Sequence, residues 1–101
     1  MHLIQILLPV YDNHGKRLPA AYQQEVKNEL SGRFRGLTAY IHAPAEGIWT
    51  RGKAIQREDI LVYEVMTATL NRKWWRQYRV RLEKLFCQES IVIRTHIIQL
   101  L

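Results

Sequence analysis

Two stretches of this chain repeat their apolar residues at helical spacing, and each lies between runs suited to β-strands. In the first, Tyr22, Val26, Leu30 and Phe34 fall four apart and share one helical face, with Gln23, Gln24, Lys27 and Asn28 toward solvent. Leu18-Pro19 opens this helix, because proline is well tolerated at the first helical position. Ser31-Gly32 frays it and Gly36 ends the segment. In the second, Trp74, Trp75, Tyr78, Leu82, Leu85 and Phe86 keep the helical period, behind Thr69 or Asn71 as the N-cap. Residues 2–10 form an Ile- and Leu-rich run stopped by Pro9, and residues 37–42 alternate. Residues 58–66 and 91–100 supply two further strands. Residues 43–57, with Pro44, Gly47 and Gly52, read as a long irregular excursion that includes a small hairpin around Arg51-Gly52.

The resulting order, β-α-β-β-α-β, predicts an α+β, ferredoxin-like sandwich. Right-handed crossovers select a four-stranded, mainly antiparallel sheet in the order 4-1-3-2, with both helices on one face. The two central strands are then the two most hydrophobic ones, so local and global patterns agree. At 101 residues, the whole span 1–101 is read as a single domain.

Two helices leave the other face of the sheet open. Assigning the more apolar set of each strand to the helices puts Leu3, Leu7, Ile60, Val62, Met66, Val92 and Ile98 on that open face. A patch of this kind marks an interface, and the expected partner is a second copy, as a homodimer packed sheet to sheet. The alternative cover is the 43–57 segment folded back over the sheet. Gln5, Tyr40, His42, Glu64, Arg94 and His96 share the face. Glu64 and Arg94 flank Gln5 across about two strand spacings, near 10 Å, which long side chains can span. Buried charge demands a partner, so the bland reading is a satisfied polar network that fixes register. The functional reading is a small-molecule pocket lined by Tyr40, His42, Trp49, Glu64, Arg94 and His96. In a small cofactor-free enzyme of the dimeric α/β-barrel kind, His42 or His96 would act as base and Arg94 would stabilise an anion.

Lys and Arg number 15 against 9 Asp and Glu, a net charge of +6. Residues 1–50 hold 5 basic and 4 acidic residues and residues 51–101 hold 10 and 5, so the excess lies in the second half. Arg72, Lys73, Arg76, Arg79 and Lys84 share one arc of the second helix, opposite its apolar arc. A nucleic-acid role through this helix is disfavoured, because the strands lack the glycine and aromatic pattern of the RNA-binding sheet module. The arc reads as a solvated face instead.

The lone Cys87 reads as a small buried hydrophobe in the last helical turn. His2, His14, His42 and His96 lack H-x-x-x-H or H-x-H spacing, so no metal is expected, and nothing in the sequence calls for a cofactor. Neither apolar terminal run reaches the roughly 20 residues of a membrane span, and the first lacks the basic start and cleavage site of a signal peptide. The expectation is a cytoplasmic protein with no membrane contact.

From R-F-x-G-L-T (Arg33 to Thr38) onward, through G-x-W (Gly47 to Trp49), R-E (Arg57, Glu58), Y-R-x-R (Tyr78 to Arg81) and F-x-Q-E-S (Phe86 to Ser90), the chain resembles an uncharacterised family of small bacterial proteins. The resemblance implies a ferredoxin-like domain and no particular activity. It points to Trp49, Arg57, Gln88 and Glu89 as places to look. Unlike the exported members of that family, the chain is expected to have no signal peptide.

Overall fold

β1 (His2–Pro9) is one of the two inner strands of the sheet. The remaining elements are α1 (Ala20–Arg33), β2 (Thr38–Arg51), β3 (Ala54–Thr67), α2 (Arg72–Leu85) and β4 (Val92–Ile97). A computed structural model describes the backbone of residues 1–51 and 54–101 and the side chains of residues 1–40 and 59–101. The sheet order is β2-β3-β1-β4, the expected 4-1-3-2 read from the other edge, with all three pairings antiparallel.

The alternation in β1 decides what is buried. Ile4, Ile6 and Leu8 are 0–1% exposed and face the helices, with Tyr63 and Val65 beside them. Val26 and Leu30 of α1 and Trp75, Tyr78 and Leu82 of α2 close over this layer. Burying each large aliphatic side chain contributes about 1.5–3 kcal/mol. Phe34 follows α1 as its C-cap, stacked on Trp75 at 5.4 Å and edge-on to Trp74 at 5.8 Å. The two tryptophans thus anchor α2 to the end of α1.

Several local readings need correction. Pro19 is the N-cap of α1, in extended backbone, and its carbonyl accepts the Tyr22 N–H at 3.1 Å. Ser31-Gly32 continues the helix to Arg33, with Ser31 Oγ donating to the Lys27 carbonyl at 2.6 Å. Gln23 is half-buried rather than solvated, because it accepts from Tyr63 OH at 2.6 Å and donates to the Pro9 carbonyl at 3.3 Å. Ile97, expected under the helices, is 77% exposed at the end of a short edge strand.

The largest correction concerns residues 43–57. Their described residues continue the sheet instead: β2 runs to Arg51 and β3 starts at Ala54, with pairs from Ala45↔Ile60 to Arg51↔Ala54. The irregularity is confined to residues 41–44, between the pairs Tyr40↔Val62 and Ala45↔Ile60, where four residues of β2 stand against one of β3. Pro44 falls in this bulge on an edge strand, where a missing N–H costs no ladder bond. The turn anticipated at Arg51-Gly52 involves residues 52 and 53, which lie outside the described residues.

Between β1 and α1, the Asp12 carboxylate accepts the N–H groups of His14 at 2.8 Å and Lys16 at 2.9 Å. The bonds from Lys16 and His14 hold that carboxyl below its usual range. Gly15, at φ +79, supplies the left-handed residue this tight loop requires. Among the described residues, no helix is long and apolar enough to cross a membrane.

Candidate functional site

Strand register arranges the open face in rows. One row crosses all four strands as Thr38, Glu64, Gln5 and Arg94. The next runs Tyr40, Val62, Leu7 and Val92, and a third holds Met66, Leu3 and His96. A polar row therefore lies between two mainly apolar ones.

Gln5 joins the charged ends of its row. Its Nε2 donates to Glu64 Oε1 at 2.8 Å, and its Oε1 accepts from Arg94 Nε at 2.7 Å. The amide orientation follows from its neighbours, since a carboxylate can only accept and a guanidinium can only donate. Tyr40 OH donates to Glu64 Oε2 at a longer 3.4 Å. The result is a continuous ladder, Arg94–Gln5–Glu64–Tyr40. Each of its bonds involves a charged group, which makes it stronger than a neutral pair.

The apolar setting of the ladder is open to solvent. Met66, Val92 and Tyr40 are 51%, 50% and 49% exposed, while Leu3, Leu7 and Val62 are half-buried. Ile60, at the level of the β2 bulge, is buried and is the exception on this face.

Of the residues singled out from sequence, the structure brings Tyr40, Glu64 and Arg94 together. His96 stands opposite Leu3 in the neighbouring row and is exposed. Trp49 and Arg57 belong to the pairs Trp49↔Gln56 and Ile48↔Arg57 of the hairpin, and their side chains, like that of His42, lie outside the described residues. Gln88 and Glu89 follow α2 instead of joining this face. The Gln88 N–H bonds the Glu83 carbonyl at 2.9 Å and its side chain bonds the Phe86 carbonyl at 3.1 Å. Gln5, read from sequence as a spacer between two charges, is the group that connects them. The missing signal was register, which placed Gln5, Glu64 and Arg94 directly abreast.

Cys87 is exposed rather than buried. It occupies the position just after the C-cap of α2, with φ 52. The N–H groups of Cys87 and Gln88 bond the carbonyls of Lys84 at 3.3 Å and Glu83 at 2.9 Å, a Schellman closure.

No family model matches the chain, and no curated protein does. Solved structures do share its fold. A single-residue variant of CutA1 from Pyrococcus horikoshii superposes with a TM-score of 0.62 at 10% identity, over 100% of this chain and 86% of that one. A phage SAM lyase in its apo state gives a TM-score of 0.62 at 12% identity, over 94% of this chain and 78% of that one. The phage SAM lyase in complex with S-methyl-5'-thioadenosine gives 0.60 at 14% identity, over 94% and 79%. At these identities the likeness is one of fold, a small ferredoxin-like α+β domain.

Proposed function

We propose that this chain is a small-molecule-binding or regulatory domain that works as a homodimer, its two open sheet faces packed together around the polar ladder. The observation that carries the reading is the ladder itself, an ordered row of charges set in a half-exposed apolar surface. Left in water, such a row gains little, because exposed ion pairs are worth about 0–1 kcal/mol. Covered by a partner, it would fix one register and reject others.

Charge geometry favours a second copy as the cover. β1 lies between β3 and β4, so Glu64 and Arg94 sit on either side of Gln5. A two-fold axis along β1, in the plane between two facing sheets, would set Arg94 of one protomer over Glu64 of its partner. An axis across the strands would oppose like charges instead. The ligand pocket would lie where the ladder meets the rim of the sheet, beside Tyr40 on β2, whereas His96 belongs to the opposite edge. Glu64 already accepts from Gln5 and Tyr40, which suits binding and registration better than service as a free base.

Light scattering coupled to size exclusion tests the assembly. The wild type should run at twice the 12.0 kDa chain mass. Glu64→Arg or Arg94→Glu alone should dissociate it, and the double exchange should restore it. A wild type that is monomeric at micromolar concentration, or single exchanges that leave the dimer intact, would overturn the proposal.

A further inference from the structure

Three arginines of α2 line a groove on the helix side of the sheet, and Arg94 at the end of the ladder also borders it. Arg72, Arg76 and Arg79 follow each other at four and three residues, so they form one stripe along the helix. The stripe borders a cavity of about 140 Å³ between α2 and the helix-facing side of β4. Trp75 and Ile93 give this cavity an apolar floor, and Thr95 gives it one polar wall. The groove exists because β4 is short and the helices leave its end uncovered. Ile93 is half-buried, and Thr95 and Ile97 beyond it are exposed.

The charges around the groove are poorly balanced. Among the described residues, Arg72 and Arg76 have no carboxylate partner. Arg79 reaches only Glu83, at 3.9 Å, and that carboxylate already accepts the Ile91 N–H at 3.0 Å. Among the described residues, no acidic side chain lines the cavity. Like charges at this spacing repel, and the first turn of α2, where cations are disfavoured, contains no acidic residue to offset them. A bound anion relieves both penalties.

We propose that this groove binds a phosphomonoester carrying a small apolar group. A phosphomonoester bears close to two negative charges near neutral pH and accepts bidentate bonds from guanidinium groups. Three arginines, of which only Arg79 reaches a carboxylate, match that charge better than they match a monocarboxylate. The apolar floor and the limited volume favour a ring or short chain over a large ligand. The same arc of basic residues would also attract a nucleic-acid backbone, but such binding would need neither the groove nor its floor.

Phenyl phosphate is the probe, with inorganic phosphate, benzoate and a short single-stranded oligonucleotide as comparisons. Titration followed by NMR should shift the Trp75 indole N–H and the Ile93 methyls saturably. Phenyl phosphate should bind more tightly than inorganic phosphate or benzoate. In the double variant Arg72→Gln and Arg76→Gln, both changes being at exposed positions, affinity should fall by about tenfold or more while the melting temperature does not fall. The proposal is overturned by an absence of saturable shifts at millimolar phenyl phosphate, or by affinity that the double variant retains. It is equally overturned if the oligonucleotide binds more tightly, with steep salt dependence, and leaves Trp75 and Ile93 unmoved.

Discussion

Tyr63 and Tyr78 carry the same hydroxyl into the same core and meet different surroundings. Tyr63 donates to Gln23 at 2.6 Å, whereas the Tyr78 hydroxyl is buried with no partner among the described residues. An unsatisfied buried polar group costs about 1–3 kcal/mol. Tyr78→Phe should therefore raise stability by about 1 kcal/mol, and Tyr63→Phe, which strands the Gln23 carbonyl, should lower it by a similar amount. Urea denaturation of both variants checks the opposite signs. Burial also pushes the Tyr63 phenol up from 10.0 to about 12, and it raises that of Tyr78, with smaller contributions from Glu25 and Tyr63. A raised phenol keeps the folded state protonated after the unfolded state has ionised. Its stabilising effect is complete below pH 10 and is lost as pH rises toward about 12. Denaturation midpoints taken across that range should fall, and less steeply in Tyr78→Phe. Tyr78 was legible as core from its helical spacing. The partner of Tyr63 was not, because Gln23 sits on a polar stretch of α1 and only the tertiary approach of β3 desolvates it.

At the level of elements, α2 owes its definition to its two ends. Asn71 accepts the Trp74 N–H at 3.1 Å, and the Schellman closure ends the helix at Phe86 with Cys87 in left-handed backbone. Asn71→Ala should cost about 1 kcal/mol. Cys87→Gly should gain about 1 kcal/mol, since a side chain in that conformation is disfavoured by roughly this amount. Thermal melts of the two variants should move in opposite directions. The cap was readable from residue type as Thr69 or Asn71, and the structure selects Asn71. The environment of Cys87 was not, because a thiol one residue past a helix looks the same in sequence whether it points inward or caps the chain reversal. The hairpin of β2 and β3 shows a related limit. Pro44, Gly47 and Gly52 look like breakers, yet a bulge at an edge strand absorbs the proline and the strands resume pairing at Ala45.

For the whole molecule, the two surfaces left incomplete by the fold differ in chemistry. The open sheet face is apolar with a charge ladder, and the α2–β4 groove is cationic with an apolar floor. The order of elements and the 4-1-3-2 sheet followed from apolar periodicity and crossover handedness, which act along the whole chain. The ladder was legible only as a set of residues on one face, because spacing says which residues share a face and register says which ones touch. The groove was legible only as a basic arc. That arc faces a cavity because β4 ends short of the helix above it, a property of no single segment.

The central place of β1 has a kinetic consequence. The strand nearest the start of this sequence must bond on one side to β3 and on the other to β4, and the bond from Arg94 to Gln5 closes a span of 89 residues. Neither pairing can be reached through a tight turn, so the entropy of two long closures is lost before the core rewards it. Such a topology slows folding relative to one built from local contacts. Until β4 arrives, Ile4, Ile6 and Leu8 have a free edge beside them. Any partner that offers a strand in that interval competes with the chain's own last one.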